Sequence, residues 1–399
     1  MITEIFIAIL LGCTAGIITG LIPGIHVNLI SLLVLSFSGI LLDITSPVIV
    51  SIFIISMAIT HTFLDTIPAV FLGAPEADTA LSVLPGHKLL LEGKGYHAVI
   101  LTLIGSLFSI MLAVIFSPII ATIINKIYPT LSSLMGYILI IASLFLISKD
   151  SKSKYWAFII FMLAGTLGIA TLNLPNLKNP LFPLLSGMFG ISGLLISLNQ
   201  KVKIPKQIIS ELKIKKKTIT QAVGASFIAG SLCSFMPGLG PSQAAILGSQ
   251  LTKKMESEGF LILVGGLNTV NMIMSFIALY ILDKARNGAI VTVSKIMESF
   301  SLSNLILFFG VALVVAGIAT FLTINLTKIF SKLMTKVNYT KICLFIIFFI
   351  FALTIFLSGK YGILILLVST SLGIVPPLVG VGRNHLMGCL LLPVILYFI

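Results

Sequence analysis

The stretch AGIITGLIPGIHVN at residues 15–28 returns at residues 229–242 as AGSLCSFMPGLGPS. Each copy sets a Pro-Gly pair at the same distance behind an Ala-Gly pair, inside an apolar run. Proline removes a backbone donor and clashes with the preceding turn, and glycine permits a reversal, so each Pro-Gly pair predicts a break in a helix. Broken backbone at membrane depth is tolerated only where protein or a water-filled cavity surrounds it. Two matching breaks in two halves of a chain are typical of the binding site of a secondary transporter.

The composition is that of a membrane protein. Of the 399 residues, 58% are hydrophobic and only 9% are charged, whereas a soluble domain carries about 25% charge. At roughly 20 residues a span, about ten to twelve spans would fit, which predicts a multi-pass protein of the cell membrane. The N-terminus lacks the positive region of a cleaved signal peptide, so we expect the first span to be retained. The net charge of +13 comes mainly from lysines in short loops, which favours orientation by the positive-inside rule over nucleic-acid binding.

A basic linker at residues 199–218 divides the chain. It carries seven lysines against one acidic residue, Glu211, and loops rich in lysine lie on the cytoplasmic side of a membrane. We therefore predict a first membrane repeat at residues 1–198 and a second at residues 219–399.

The loop charges predict that the two repeats have opposite orientations. Counting spans outward from the linker places Lys88 and Lys94 inside, but it places Lys284 and Arg286 of the second half outside. Inverted repeats are common among secondary transporters. The predicted fold is an all-α polytopic protein with two inverted-topology repeats, whose re-entrant hairpins and broken helices enclose a central site. The alternative is that the first helix spans the membrane fully and Pro23 lies at an interface.

A second pair of matching blocks supplies candidate residues for a coupling ion. LDTIP at residues 64–68 resembles LNTVN at residues 267–271. Asp65 follows His61 by one helical turn, and a carboxylate beside an imidazole can bind a proton or help to coordinate Na⁺. The competing interpretation is that Asp65 caps a helix near Pro68. The predicted coupling residues are Asp65, Thr66, Asn268, Thr269 and Asn271.

The backbone after each Pro-Gly pair is predicted to bind an anion. The N-terminus of a half-helix carries partial positive charge where water is scarce, which suits a carboxylate or a phosphate. His26 could meet an anionic substrate, and a satisfied interior histidine is the competing interpretation. Glu76 and Asp78 follow Pro75 and are expected to cap a new helix. The predicted substrate-binding residues are Gly24, His26, Asn28, Gly238, Gly240, Ser242 and Gln243.

Several of these blocks together resemble a known family. They are the Pro-Gly elements at Gly20–Gly24 and Ser234–Gly240, TIPA at residues 66–69 followed by GAP at 73–75, and KLLLEGKGYHA at 88–98. On these blocks the chain resembles the TctA family, the large membrane subunit of tripartite tricarboxylate transporters. The first element departs from the family pattern, because IHVN stands where a more glycine-rich continuation is expected. The resemblance implies a cation- or proton-coupled permease for organic anions that works with a small membrane subunit and a soluble binding protein.

The sequence therefore predicts a secondary active transporter for a small organic anion such as a di- or tricarboxylate. We expect coupling to Na⁺ or H⁺, alternating access and contact with membrane lipid, and a homodimer is compatible with the sequence. No enzymatic or ATP-binding motif is present, so we expect no enzyme activity, no cofactor and no metal other than Na⁺.

Three alternatives stay open. One is a translocase for a polyprenyl-phosphate lipid, since Pro-Gly breaks and cationic pockets would also serve a lipid phosphate. A second is an intramembrane enzyme that uses His26, His61 and Asp65, and a third is a membrane scaffold without transport of its own. Arg383, in a late Gly-rich turn, is expected to anchor a helix end at the membrane interface rather than to steer an anion.

Overall fold

The protein is helical throughout the part that the structure describes. A computed structural model of the chain has helices and no strands among its described residues. The described residues are 2–22, 27–73, 83–148, 150, 153–199, 205–236, 240–252, 255–285, 287–297, 299–334 and 339–399.

The helices fall before and after the basic linker. Those before it are α1 (Ile2–Leu21), α2 (Val27–Ser36), α3 (Ser38–Ile44), α4 (Pro47–Leu64), α5 (Thr66–Phe71), α6 (Val83–Leu91), α7 (Gly95–Ser133), α8 (Met135–Ser148), α9 (Lys154–Leu172), α10 (Leu181–Leu185), a π-helix (Ser186–Ile191) and α11 (Ser192–Asn199). Those after it are α12 (Lys216–Phe235), α13 (Pro241–Gln250), α14 (Ser257–Leu282), α15 (Gly288–Ile296), α16 (Leu302–Met334), α17 (Tyr339–Val379), a 3₁₀ helix (Arg383–Met387) and α18 (Gly388–Phe398).

Among the described residues, eight helices are long and apolar enough to cross a membrane, and three further apolar helices are shorter. This is fewer than the ten to twelve full spans expected from composition. One reason is that the segment after the first Pro-Gly pair divides at Phe37 into α2 and α3, each too short to span. The other is that α17 counts as one span although it consists of two helices, which meet at a kink at Gly359 (φ 69°). The chain is a multi-pass membrane protein.

In the first half, α1 packs closely against α4 and runs parallel to it. A Cβ at Gly12 would lie 2.6 Å from the Cβ of Ser56, and one at Gly20 would lie 2.8 Å from the Cβ of Leu64. Small residues at such spacing let two membrane helices approach closely. Because both members of each pair advance in the same direction, the chain between α1 and α4 has to return through α2 and α3.

The second half repeats this arrangement with α12 and α14. A Cβ at Gly259 would lie 3.3 Å from Cγ2 of Thr218 near the start of both helices. Near the end of α12, Ser234 Oγ donates to Asn271 Oδ1 of α14 at 3.1 Å. These two helices are therefore also parallel, and α13 lies between them along the chain.

The two halves are joined by helices that cross between them. Helix α14 packs on α7, and α4 packs on α16. Ser106 Oγ of α7 donates to the Gly265 carbonyl of α14 at 3.0 Å, and Thr323 Oγ1 of α16 donates to the Phe63 carbonyl of α4 at 3.3 Å. As a result α4–α5 and α14 form the centre, since 83% and 89% of their most apolar stretches are buried, against 28% for α17.

The basic linker lies at the end of the bundle where α5 ends and α7 begins. The Gly95 amide donates to Gln207 Oε1 at 2.8 Å, and the Ile208 amide donates to the Gly93 carbonyl at 2.8 Å. Lys284 instead donates to the hydroxyl of Tyr128, far along α7. The segment with Lys94 and the segment with Lys284 thus lie at opposite ends of the bundle.

Candidate functional site

A carboxylate and an amide meet at the centre of the molecule. Asn268 Nδ2 of α14 donates a hydrogen bond to Asp65 Oδ2 at 2.8 Å. The side chains are almost fully buried, with 2% of Asp65 and 5% of Asn268 exposed. Buried ionisable groups within membrane segments are costly and tend to mark ion or substrate pathways. These two residues occupy the same position in the two matching sequence blocks.

This carboxylate lies where the hydrogen bonding of the central helix is interrupted. Asp65 lies between α4 and α5, and Pro68 in the following turn has no backbone N–H to donate. The Asp65 side chain makes no capping hydrogen bond at the start of α5. The capping role that competed with the coupling role in the sequence is therefore not what the structure has. The side chain instead points across to α14.

The residue after Asp65 is held from a third helix. Thr102 Oγ1 of α7 donates to Thr66 Oγ1 at 3.1 Å, and both side chains are buried. One turn before the carboxylate, His61 is also buried, at 4% exposure. Polar groups at residues 61–66 are therefore buried near one another along the chain, and α7 and α14 each donate a hydrogen bond to them, inside an otherwise apolar bundle.

The remaining coupling residues of α14 have separate environments. Thr269 Oγ1 donates to the Gly265 carbonyl of its own helix at 3.3 Å, so its hydroxyl serves the helix backbone. The side-chain and backbone oxygens of Asn271 lie 3.1 and 3.2 Å from Ser234 Oγ, whose single O–H also lies within hydrogen-bond distance of the Gly230 carbonyl at 2.8 Å. Ser234 lies just before the second Pro-Gly pair. Asn271 therefore joins the central site to the end of α12.

The predicted anion residues are only partly described. Gly240 is the N-cap of α13, and Ser242 and Gln243 lie in the first turn of that helix. The side chain of Asn28, at the start of α2, lies against Gly288 at the start of α15. Outside the described residues lie Pro23, Gly24, His26, Glu76, Asp78, Pro237, Gly238, Arg286 and the side chains of Ser242 and Gln243.

The sequence interpretation missed two polar partners. Thr102 lies in an apolar run and Ser234 lies in the second Pro-Gly element, but neither was named as a site residue. Arg383 was expected to anchor a helix end at the membrane interface, and only 6% of it is exposed. Residues 383–387 form a 3₁₀ turn packed against α9, α17 and α18, so the side chain is enclosed by helices.

The described residues contain no group of three His, Cys, Asp or Glu side chains placed to hold a metal ion. The arrangement is instead a buried polar cluster between the two halves of a multi-pass helical protein. Such clusters are typical of the class of membrane proteins that move ions or solutes.

Comparison with known proteins gives the family. The model of the tripartite tricarboxylate transporter TctA family matches residues 6–388, nearly the whole chain. The chain belongs to the TctA family, which confirms the resemblance seen in the sequence. It is also 30% identical, over 98% of both chains, to the uncharacterized protein MJ1079 of Methanocaldococcus jannaschii. No solved structure matches the chain.

Proposed function

We propose that the protein is a secondary active permease for a small organic anion such as a di- or tricarboxylate, coupled to Na⁺ or H⁺. The TctA family is a transporter family, and the substrate and the coupling are our inference. The single observation that carries the proposal is the buried hydrogen bond between Asp65 and Asn268. In a carrier built from two repeats, corresponding residues meet at the axis that relates the repeats, where the transported species bind.

The directions of the helices support inverted repeats at residues 1–198 and 219–399, joined by the linker at 199–218. Helices α1 and α4–α5 run towards the linker end of the bundle, whereas α12 and α14 start there and run away from it. The crossed packing of α4 on α16 and of α14 on α7 supports the same assignment. We infer that α1 with α2–α3, and α12 with α13, form two opposed re-entrant hairpins, and that the linker end is cytoplasmic.

In this proposal the central cluster binds the coupling ion and the hairpin ends bind the anion. Asp65 supplies the charge, and Asn268 fixes the orientation of its carboxylate. The N-termini of α2 and α13 would offer backbone N–H groups to the anion. The proposed residues are Asp65, Thr66, Asn268, Thr269 and Asn271 for the ion, and Gly24, His26, Asn28, Gly238, Gly240, Ser242 and Gln243 for the anion.

The partners follow from the family. TctA proteins belong to tripartite systems, so we infer a small membrane subunit and a soluble binding protein beside this chain. Alternating access would then move the anion between a face open to the binding protein and the cytoplasmic face.

Uptake into proteoliposomes tests the proposal. Purified protein is reconstituted, with and without the two partner subunits, and uptake of radiolabelled citrate and succinate is measured under a Na⁺ or H⁺ gradient. We expect uptake that collapses with the gradient and that Asp65→Asn loses. Asp43→Asn is the matched control, because Asp43 is an exposed carboxylate on α3. Uptake that does not depend on the gradient contradicts the proposal. Coupled uptake at the wild-type level in both Asp65→Asn and Ser242→Ala also contradicts it.

A further inference from the structure

Arg383 is a buried cation that the central cluster does not use. It opens the 3₁₀ helix between α17 and α18, and 6% of it is exposed. Its Nη1 atom is fully enclosed and has no hydrogen-bond partner among the described residues. A guanidinium keeps its charge at any physiological pH and has five N–H donors to satisfy. An unpaired buried charge costs several kcal/mol, which suggests that an anion completes this site.

The nearest acidic side chain is already engaged elsewhere. Asp150 Oδ2 lies 3.0 Å from His385 Nε2 and accepts from the Gly382 amide at 3.3 Å. These contacts hold the residues on both sides of Arg383, so they fix the turn that carries it. Among the described residues, no carboxylate comes within ion-pair distance of the Arg383 guanidinium.

On the side of α11 no side chain covers the guanidinium, because the residue there is Gly193 and a Cβ built on it would lie 3.4 Å from Arg383 Nη1. Gly193 is in the first turn of α11, directly after the π-helix, and such single π turns are frequent at functional sites. Residues 383–387 also contact α13, the helix that follows the second Pro-Gly pair.

We propose that Arg383 pairs with a carboxylate group of the transported anion, beside Gly193 and near α13, in a state of the transport cycle that exposes the guanidinium. A guanidinium presents two parallel N–H groups that match the two oxygens of a carboxylate, whereas an ammonium acts as a point charge. The inference rests on the proposed function and names the residue that recognises the negative charge of its substrate.

Charge removal gives the main test. Arg383→Gln, Arg383→Lys and the control Lys284→Gln are purified, and citrate, succinate and inorganic phosphate are titrated in a thermal-shift assay alongside proteoliposome uptake. Lys284 is a suitable control because it is an exposed cation at the end of the bundle away from the linker. We expect Arg383→Gln to weaken carboxylate binding by on the order of 100-fold, as truncation of a buried charge pair does. Arg383→Lys should keep part of the affinity, and Lys284→Gln should keep all of it.

Gly193→Ala provides a variant that keeps the arginine. The added methyl group touches only Arg383 Nη1 among the described atoms beyond its own helix, and alanine is favoured over glycine inside a helix. We expect this variant to unfold at the temperature of the wild type or above, and to bind carboxylates several-fold more weakly.

The outcomes separate this inference from the proposed function. If the wild type takes up carboxylates and both Arg383→Gln and Gly193→Ala do so with unchanged KM, the role of Arg383 is overturned while the carrier stands. The wild type could instead take up no carboxylate but be stabilised by one, with this stabilisation lost in Arg383→Gln. That result supports carboxylate binding by Arg383 and overturns the proposed carrier function. Stabilisation by phosphate alone, or by no anion, overturns the carboxylate pocket.

Discussion

The two central helical segments occupy corresponding places in the halves, yet they are built differently. In the first half the backbone stays helical through Asp65, but Pro68 in the next turn leaves one hydrogen bond of the helix unmade. In the second half α14 continues without such an interruption through Asn268 to Leu282. One segment contributes a carboxylate beside an interrupted stretch of hydrogen bonds, and the other contributes a neutral amide on a regular helix.

This comparison separates the packing of the two segments from their chemistry. The packing is shared, because small residues on α1 and α12 seat both segments in the same way. The chemistry is not shared, because two carboxylates at hydrogen-bond distance would repel each other. A single charge at the centre suits the binding of a single cation, which is how we interpret the asymmetry.

The largest expected effect is the loss and recovery of coupling. Asp65→Asn should reduce gradient-driven uptake by roughly tenfold to a hundredfold, since a hydrogen bond or ligand contact to a charged group contributes about 1.5–3 kcal/mol. The double variant Asp65→Asn with Asn268→Asp moves the carboxylate to the other half. If the two positions are equivalent, proteoliposome uptake should recover to within about threefold of the wild type. If uptake does not recover, the backbone around Asp65, and not the charge alone, is needed to form the ion site.

Removal of the amide should mainly affect stability. Asn268→Ala leaves the buried Asp65 Oδ2 without its described donor, which should lower the free energy of unfolding by about 1.5–3 kcal/mol. Thermal unfolding in detergent measures this loss of stability. The control is Asn173→Ala, because Asn173 is exposed. Equal stability of the two variants would show that the hydrogen bond contributes nothing net.

The shared packing can be tested with matched glycine substitutions. A Cβ at Gly16 would lie 2.5 Å from the Cβ of Thr60, and one at Gly230 would lie 2.7 Å from the Cβ of Val270. Gly16→Ala and Gly230→Ala should each destabilise the protein by about 1–3 kcal/mol through overpacking. Gly39→Ala and Gly224→Ala are the controls, because no described atom beyond their own helices lies within 4 Å of the added carbon. If only one of the two variants loses stability, the contact of α1 with α4 and the contact of α12 with α14 are not equivalent.

The smallest effects belong to the hydroxyl donors around the site. Thr102→Val removes the donor to Thr66, and Ser234→Ala removes the donor to Asn271. Each neutral hydrogen bond contributes about 0.5–1.5 kcal/mol, so the midpoints of thermal unfolding should fall slightly and by similar amounts. A much larger fall for Ser234→Ala would mean that the contacts at the end of α12 contribute more to stability than we infer.

Both members of the central pair could be selected from the sequence because they lie in two matching sequence blocks. Asp65 and Asn268 were found by aligning two short blocks in register with the Pro-Gly pairs, and the family resemblance came from the same blocks. Thr102 could not be found in this way, because its partner lies on another helix and one threonine in an apolar run has many other uses. For a similar reason, local sequence does not reveal which helices enclose the turn that carries Arg383. Composition allows ten to twelve spans, whereas eight helices among the described residues are long enough to cross a membrane, partly because a return segment divides at Phe37.

The pairing of Asp65 with Asn268 also constrains how the protein is made. The two residues are 203 positions apart, so at 5–20 residues per second the ribosome needs about 10–40 s to deliver the second after the first. During that interval the carboxylate has no contact with the amide. It has to be shielded by insertion machinery, by water or by a bound proton. Nascent chains truncated before residue 268 should therefore be especially sensitive to quality control in the membrane.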